Sequence, residues 1–303
     1  MQELDTMRIA VVFNPGSGPR AASHALSAVV AALASHNHVL EVIDSDRQPD
    51  FERHLSGRTG EFDRVIAVGG DGTLNGVINA IVDSPNPSLP VAFVPTGRGK
   101  DTSRSVPSWS PAAMAEHTFE LATVIPIDLI RITLESGLTR AGINVADIGL
   151  AAHAAVIANR IPRQFGSLAY VLGAARGIVP PKPFTLCMTV NGESLCIDDA
   201  LLLSVCNGRT FGGGIHIAPM ADYQDGWLDI VVAHNANLID LATQLPKLKK
   251  GTLVDHPALM RWRAQRVTIE SADTKWFEVD GEQLSNQPLS FDIAPQALNW
   301  VTP

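Results

Sequence analysis

The sequence has few cysteines and few charged residues for its 303 residues. The three cysteines, Cys187, Cys196 and Cys206, do not have the spacing of a zinc motif, and an odd number leaves one outside any disulfide framework. We therefore expect reduced cysteines, as in a cytoplasmic protein. Charged residues make up 18%, and 31 acidic against 23 basic side chains give a net charge of −8. This balance argues against a nucleic-acid-binding protein, which typically presents a basic face.

The sequence also lacks a long apolar run and a basic leader. The nearest candidate for a membrane span, residues 141–158, is interrupted by Asn144, Asp147 and His153, and it is therefore unsuited to cross a bilayer. The first residues, 1–5, are acidic where a signal peptide would be basic. Both observations favour a cytoplasmic location.

The first third of the chain alternates β-branched runs with helical patterns. The patterns predict four strands and two helices: strands at 8–13, 39–43, 64–68 and 90–94, helices at 21–35 and 74–82. Strands that alternate with helices favour a helix-covered parallel sheet, with ligands at the carboxyl ends of its strands. We therefore predict an α/β nucleotide-binding domain over residues 1–125.

From about residue 126 the pattern changes to short strands separated by turns. Six strands and two helices are predicted: strands at 129–134, 185–190, 201–205, 228–232, 266–269 and 276–279, helices at 151–179 and 238–250. This pattern favours a β-sandwich-like domain over residues 126–290. The predicted fold class is therefore an N-terminal α/β domain with a parallel sheet plus a C-terminal β-sandwich-like domain. A cleft between two such domains is the usual place for a ligand.

The segment Gly69–Asn75, which we call the glycine loop, lies between a predicted strand and a predicted helix. Glycines let the backbone approach a polyphosphate, and a helix N-terminus offers N–H groups and a positive dipole end. A carboxylate at Asp71 would repel phosphates unless it holds magnesium or polarises a hydroxyl or water. The alternative is an ordinary turn in which Asp71 caps the helix. The combination of strand, helix, Asp71 and Thr73 favours phosphate binding.

Two other loops follow strands of the same predicted sheet. They are residues 14–18 (Asn-Pro-Gly-Ser-Gly) and residues 96–101 (Thr-Gly-Arg-Gly-Lys-Asp). Turn chemistry alone would explain either loop. Three such loops at one sheet edge nevertheless predict a nucleotide site.

Two acidic turns are predicted in the second domain. Asp222 and Asp225 could hold a hard cation together with backbone carbonyls, or could form a plain acidic β-turn. Asp280 and Glu282 flank Gly281 at the end of a predicted strand. They could form a hairpin tip, or one of them could be a general base beside a phosphoryl donor.

Taken in order, these segments resemble the diacylglycerol kinase catalytic family, in its bacterial soluble lipid kinase branch, which is related to sphingosine kinases. The similarity runs from Asn14 to Glu282 through NPGSG, GGDGTLN, TGRGKD, FGGG followed by AP and DG, and VDGE. GGDGT alone is shared with NAD kinases and ATP-dependent phosphofructokinases, whereas the full set is much more specific. The resemblance implies an α/β nucleotide domain, a β-sandwich, and a C-terminal segment, 291–303, that returns to the first domain.

The resemblance also implies a role for each segment. Asp222, Asp225 and the backbone of Trp227 would hold a structural Mg²⁺. Glu282 would deprotonate the lipid hydroxyl beside Asp280, although either carboxylate could be the base. Asp71 would be essential, and ATP would be bound by residues of three loops: Asn14, Gly69, Gly70, Asp71, Gly72, Thr73, Leu74, Asn75, Arg98 and Asp101.

The sequence departs from the family pattern in two places. Arg98 and Lys100 stand where the family usually has Thr or Ser and Asn, and Thr102 replaces an aromatic residue. The two cations could strengthen ATP binding or could mark a different donor or acceptor. In the second place, residues 149–152 read Gly-Leu-Ala-Ala instead of Gly-Phe-Asp-Ala, so Ala151 replaces an acidic residue. This change concerns the acceptor more than the chemistry.

The sequence therefore predicts an ATP- and Mg²⁺-dependent lipid kinase that phosphorylates a lipid alcohol such as diacylglycerol or a sphingoid base. Its partners would be ATP, the lipid and, transiently, a membrane surface, with a homodimer also compatible. Residues 247–250 (Lys-Leu-Lys-Lys) could touch that surface, although a solvated helix end is the simpler interpretation. The alternatives are an NAD kinase-like enzyme and a catalytically silent nucleotide- or lipid-binding regulator. The FGGG segment and the terminal Asp-Gly-Glu argue against the first, and intact Asp71 and Glu282 against the second.

Overall fold

The structure, a computed structural model, describes residues 6–48, 50–97, 99–116, 119–160, 182–236, 238–252 and 255–303. The chain divides into two compact units, Met1–Ile127 with Gln296–Pro303, and Asp128–Pro295. The predicted fold class is confirmed, because a parallel α/β unit is followed by an antiparallel, sandwich-like one. Among the described helices, none is long and apolar enough to cross a membrane.

The first unit is built around a parallel sheet. Its strands are β1 (Arg8–Phe13), β2 (Val39–Asp44), β3 (Arg64–Gly69) and β4 (Val91–Pro95), in the spatial order β2-β1-β3-β4. The end of the last strand of the chain, β17 (Pro288–Val301), continues this sheet, where Trp300 pairs in parallel with Val91. Strand β3 is buried along its whole length, as is typical of a central strand in a helix-covered parallel sheet.

Five α-helices are found among the described residues of this unit. They are α1 (Pro19–Ala34), α2 (Phe51–Ser56), α3 (Asp71–Val82), α4 (Thr102–Ser105) and α5 (Pro111–Glu116). Helix α1 begins with Pro19, whose missing N–H costs nothing at a first helical position. In the core, the Trp109 indole donates a hydrogen bond of 2.9 Å to the carbonyl of Val301, which fastens the C-terminal strand to this unit.

The second unit consists mainly of antiparallel strands. Their bounds are β5 (Val124–Leu134, which begins in the first unit), β6 (Thr139–Gly142), β7 (Val145–Gly149), β8 (Phe184–Val190), β9 (Glu193–Cys206), β10 (Thr210–Phe211), β11 (Ile215–His216), β12 (Leu228–His234), β13 (Leu259–Ala264), β14 (Arg266–Ala272), β15 (Phe277–Val279) and β16 (Glu282–Gln283). The main path is β16-β15-β7-β9-β8-β14-β17, and β12 joins β9 to β13. The helices among the described residues of this unit are α6 (Leu150–Arg160) and α7 (Leu238–Lys250). The rest of the helix predicted at 151–179 lies outside the described residues.

Two of the three cysteines are joined, so the expectation that all are reduced is wrong. Cys187 on β8 lies directly opposite Cys196 on β9, and the two form a disulfide. A cross-strand pairing of this kind depends on strand register, which cysteine spacing does not reveal. Cys206 is free and buried.

Candidate functional site

Three loops meet where β1, β3 and β4 end in the first unit. The Asn14 N–H donates to the carbonyl of Val68 at 3.1 Å, and the Thr96 N–H donates to the carbonyl of Gly69 at 2.7 Å. The hydroxyls of Ser17 and Thr96 also hydrogen bond, at 2.7 Å. The loops that follow the three strands are therefore held to one another, at the sheet edge where the sequence predicts a nucleotide.

Two glycines of these loops, Gly69 and Gly97, occupy positions where a side chain would collide with its neighbours. A Cβ on Gly97 would lie 2.6 Å from the Cα of Gly70, and a Cβ on Gly69 would lie 2.4 Å from Oγ1 of Thr73. Helix α3 begins immediately after Gly70, at Asp71. The backbones of two loops thus touch beside a helix N-terminus, an arrangement suited to phosphate binding.

The Asp71 carboxylate connects two loops and does not cap α3. It accepts a hydrogen bond of 3.1 Å from the N–H of Thr102, the first residue of α4. The residue that precedes α3 is Gly70, and no side-chain cap is formed there. The helix-cap alternative is therefore wrong. Asp71 is half-buried, so its carboxylate is accessible at the edge that the glycine loop forms.

Buried polar atoms in the glycine loop region still lack partners. Oδ1 of Asn14 and Oγ1 of Thr73 are buried and have no hydrogen-bond partner among the described residues. A bound ligand would satisfy such groups, which are costly when left unpaired. Leu74 is fully buried, and Oδ1 of Asn75 accepts from Asn79 at 3.0 Å, so both side chains serve the interior of the unit.

In the third loop, Asp101 is paired with a basic residue of the helix that follows. Asp101 is buried and its Oδ1 lies 3.2 Å from Nη1 of Arg104, which forms an ion pair. Lys100 is exposed and has a left-handed φ of 54°. Arg98 lies outside the described residues, so its predicted contact with ATP stays a prediction.

In the second unit, Asp280 is anchored by three backbone N–H groups. Its carboxylate accepts from Ile143 at 2.8 Å, from Asn144 at 2.9 Å and from Val145 at 3.2 Å. Its own N–H donates to the carbonyl of Val145 at 3.0 Å. Asp280 therefore holds the chain between β6 and β7, which is a structural task.

Glu282 stands across a two-residue turn from Val279. The two residues pair between β15 and β16, and Asp280 and Gly281 between them have φ of 50° and 89°. Both values are positive, as in the Asp-Gly type I′ turn of a tight hairpin. The acidic turn is therefore a hairpin tip, and the role of Glu282 or Asp280 as a base stays a prediction. Glu282 is exposed, whereas Asp280 is buried, so only Glu282 is open to an acceptor from outside.

The loop predicted to hold Mg²⁺ is internally hydrogen-bonded. Asp222 Oδ1 accepts from the N–H of Gln224, and Asp225 Oδ1 from the N–H of Trp227, both at 3.0 Å. The other oxygen of Asp225 forms an ion pair with Arg263. A cation bound at this loop would compete with the Arg263 guanidinium for that oxygen. The predicted site at Asp222, Asp225 and Trp227 stays a prediction.

Sequence reasoning missed one buried polar cluster. Asp147 on β7 lies opposite Glu278 on β15 and opposite Ser204 on β9, and all three are buried. The available signal was a carboxyl residue inside each of two otherwise apolar strands, Ala146-Asp147-Ile148 and Phe277-Glu278-Val279. The sequence alone did not show that these strands are neighbours.

Two family models match the chain. The diacylglycerol kinase catalytic domain matches residues 8–132, and the YegS C-terminal NAD kinase beta sandwich-like domain matches residues 144–302. The chain belongs to the diacylglycerol kinase family, in the branch that pairs this catalytic domain with a YegS-type C-terminal domain. By class it is therefore a kinase.

Individual relatives agree along nearly the whole length. A diacylglycerol kinase from Mycobacterium tuberculosis is 27% identical over 301 residues, which covers 98% of this chain and 95% of the relative. One from Staphylococcus haemolyticus is 25% identical over 299 residues, covering 97% and 87%. A crystal structure of a diacylglycerol kinase from Bacillus anthracis has a TM-score of 0.69 at 19% identity and covers 99% of this chain and 98% of that one. The structural likeness supports the shared fold.

Proposed function

We propose that the protein transfers the γ-phosphoryl group of ATP to the hydroxyl of a lipid alcohol, with diacylglycerol as the first candidate. The relatives named diacylglycerol kinase support this acceptor. ATP would arrive with Mg²⁺ as the counterion of its triphosphate. The lipid would be met in transient contact with a membrane surface.

The observation that carries the proposal is the close approach of the glycine loop and the loop at residues 96–101, at the start of α3. Gly70 and Gly97 touch through their backbones, which leaves no side chain between a polyphosphate and the helix N-terminus. The half-buried Asp71 carboxylate is fixed beside this edge by the Thr102 N–H. Fixed groups of this kind favour phosphoryl transfer, which depends on positioning and charge stabilisation more than on covalent help.

Each residue has a limited task in this reaction. Backbone N–H groups of the glycine loop would bind the phosphates, and Asp71 would orient the donor. The acceptor oxygen forms a bond to the γ-phosphorus while the bond from that phosphorus to the bridging oxygen of ADP breaks. Glu282 would take the hydroxyl proton, because it is the exposed carboxylate of the acidic turn.

The test is an incubation with γ-labelled ATP and one of three acceptors: diacylglycerol in mixed micelles, a sphingoid base, or NAD. Label in the lipid fraction supports the proposal, and label in NADP would instead support the NAD kinase-like alternative. Asp71→Asn should remove activity while the protein stays folded. Asp46→Asn, an exposed aspartate of the same unit, is the matched control and should be fully active.

Three results would refute the proposal. The first is transfer to NAD but to no lipid. The second is ATP binding without transfer to any acceptor, which would favour a silent regulator. The third is a folded Asp71→Asn variant with normal turnover, because it would remove the role assigned to the glycine loop.

A further inference from the structure

A row of three buried polar side chains crosses the second unit beside the Asp280–Gly281 turn. Ser204, Asp147 and Glu278 lie opposite one another on β9, β7 and β15, and they are 0%, 1% and 5% exposed. The Ser204 hydroxyl donates to Oδ1 of Asp147. Two carboxyl groups therefore lie next to each other in the interior of this unit.

The carboxyl groups of Asp147 and Glu278 lie on directly paired residues of β7 and β15, and both are buried. Asp147 and Glu278 hydrogen bond to each other through their side chains. Apart from that contact, Oδ2 of Asp147 and Oε2 of Glu278 are buried without a partner among the described residues. Carboxylates only accept hydrogen bonds, so a bond between two carboxyl groups needs a proton on one of them. Two buried, ionised carboxylates would in addition repel each other without solvation.

The pair is linked to the turn that carries Glu282. The carboxyl group of Glu278 accepts a hydrogen bond from the backbone N–H of Gly281, the residue before Glu282. We infer that Asp147 and Glu278 are positioning residues: their shared proton keeps Glu278 bound to Gly281 and so fixes Glu282 toward the acceptor. The catalytic part of this inference rests on the proposed function, whereas the shared proton does not.

The surroundings of the pair favour protonation. Burial raises the pKa of Asp147 to about 6, and burial together with the charge of Asp147 raises the pKa of Glu278 well above its ordinary value. No lysine or arginine among the described residues forms an ion pair with either group. Asp280 lies beside the pair, the buried thiol of Cys206 lies on β9, and His153 on α6 stacks on Trp276. The other carboxyl groups of β9 and β16, which belong to Glu193, Asp198, Asp199 and Glu282, are exposed.

The shared proton makes stability depend on pH with a definite sign. Above about pH 5 the unfolded chain has released nearly all of both protons, because the ordinary pKa values of aspartate and glutamate lie near 4. The folded protein keeps at least one, so it binds more protons than the unfolded chain. Stability therefore falls as the pH rises from about 4 through the raised pKa of the pair. Once the last proton leaves, repulsion would separate the carboxylates and release the Gly281 N–H.

Glu278→Gln tests the inference because glutamine imitates the protonated pair at every pH. Its amide N–H can donate to Asp147, and its oxygen can still accept from Gly281. We expect this variant to retain turnover and to stay active at higher pH than the wild type. Its stability should no longer show the part of the pH dependence that comes from Asp147 and Glu278. Asp147→Asn should show the same changes, because its amide N–H can donate to Glu278. Glu193→Gln, an exposed glutamate on β9, is the matched control.

Two further measurements separate the shared proton from its catalytic role. Infrared spectroscopy at neutral pH should show a protonated carboxyl band in the wild type that is absent in Glu278→Gln. Glu278→Ala, which removes the acceptor for Gly281, should lower kcat about tenfold to a hundredfold at unchanged KM for ATP, since a small misplacement of a catalytic group can cost about that much.

Specific results would overturn the inference. Identical infrared bands and identical stability profiles in the wild type, Glu278→Gln and Asp147→Asn would exclude the shared proton. Normal turnover in Glu278→Ala would exclude the positioning role. So would a Glu278→Gln variant whose activity falls at the same alkaline pH as that of the wild type. A wild type without kinase activity would refute the proposed function, while the infrared and stability measurements would still decide whether the proton is shared.

Discussion

Replacing Asp280 should destabilise the second unit, because its carboxylate is the acceptor for three buried backbone donors. Ile143, Asn144 and Val145 are 1%, 5% and 2% exposed, so water cannot replace a lost acceptor without rearrangement. A buried donor left unpaired costs about 1–3 kcal/mol. Asp280→Ala removes all three bonds, and at the lower end of that range we expect a loss of about 3 kcal/mol. Alanine also tolerates the left-handed φ of 50° less well than aspartate does.

Asp280→Asn should lie between the wild type and Asp280→Ala. The Asn144 and Val145 N–H groups both donate to Oδ1, and the Ile143 N–H donates to Oδ2. An asparagine oxygen in the place of Oδ1 keeps the first two bonds, whereas its amide group cannot accept the third. At the same lower end of the range we therefore expect a loss of about 1 kcal/mol, the cost of one unpaired donor.

The assay is urea unfolding followed by circular dichroism, combined with hydrogen exchange of the peptide that contains residues 143–145. Hydrogen exchange is needed because a two-unit chain need not unfold in a single step. Asp198→Ala, at an exposed position on β9, controls for the loss of one negative charge. Unfolding of Asp280→Ala within about 0.5 kcal/mol of this control, the range of ordinary surface substitutions, would refute the reasoning. So would unchanged protection of the amides at 143–145.

Three further predictions concern the proposed site. Gly97→Ala should abolish ATP binding in isothermal titration, because the added Cβ would lie 2.6 Å from the Cα of Gly70. Normal affinity for ATP would argue against a nucleotide site where Gly70 and Gly97 meet. Glu282→Gln should lower single-turnover phosphorylation about a hundredfold with ATP binding and stability unchanged, and normal turnover would leave only the hairpin tip. Excess Mg²⁺ should raise the melting temperature of the wild type, and it should raise that of Arg263→Gln further. The melting temperature of the double variant Asp222→Asn/Asp225→Asn should not respond. Equal responses of all three proteins would identify a plain acidic turn.

The strands of the first unit were predictable because each is a short apolar run bounded by turn residues. The sequence predicted 8–13, and β1 is Arg8–Phe13; it predicted 64–68, and β3 is Arg64–Gly69. Central parallel strands are buried on both faces, so their apolar character is continuous and local. Helix α3 begins three residues before the predicted start of 74, because Asp71 and Gly72 are weak helix formers that the N-terminus tolerates.

Strands of the second unit were harder to predict because long-range pairing, not local pattern, forms them. Strand β9 runs from Glu193 to Cys206, although only 201–205 was predicted, since its first half is polar and exposed and is held by the hairpin with β8. Strand β17 has prolines at both Pro288 and Pro295, which disfavour a strand in sequence terms. Its pairing with strands of both units overrides that local preference.

The candidate site was predictable in its residues but not in their contacts. The glycine loop was found from its composition, yet the bond from Thr102 to Asp71 joins residues far apart in sequence. The same limit hid Arg263 as the partner of Asp225. Contacts across strands or between loops decide whether a carboxylate is free for a ligand, and no local pattern encodes them.

The conformation of the Asp280–Gly281 turn does not by itself require a carboxylate at position 280. A type I′ turn needs positive φ at both positions, and Asn-Gly would meet that need as well as Asp-Gly. Aspartate adds a second acceptor oxygen, and both oxygens accept hydrogen bonds from the backbone N–H groups of residues 143–145. The carboxylate of Asp280 therefore has a structural task in anchoring this segment, and its catalytic role stays a prediction. Since the same turn directs Glu282 away from the interior, the turn and its anchor together favour Glu282 as the base in the reaction that we propose.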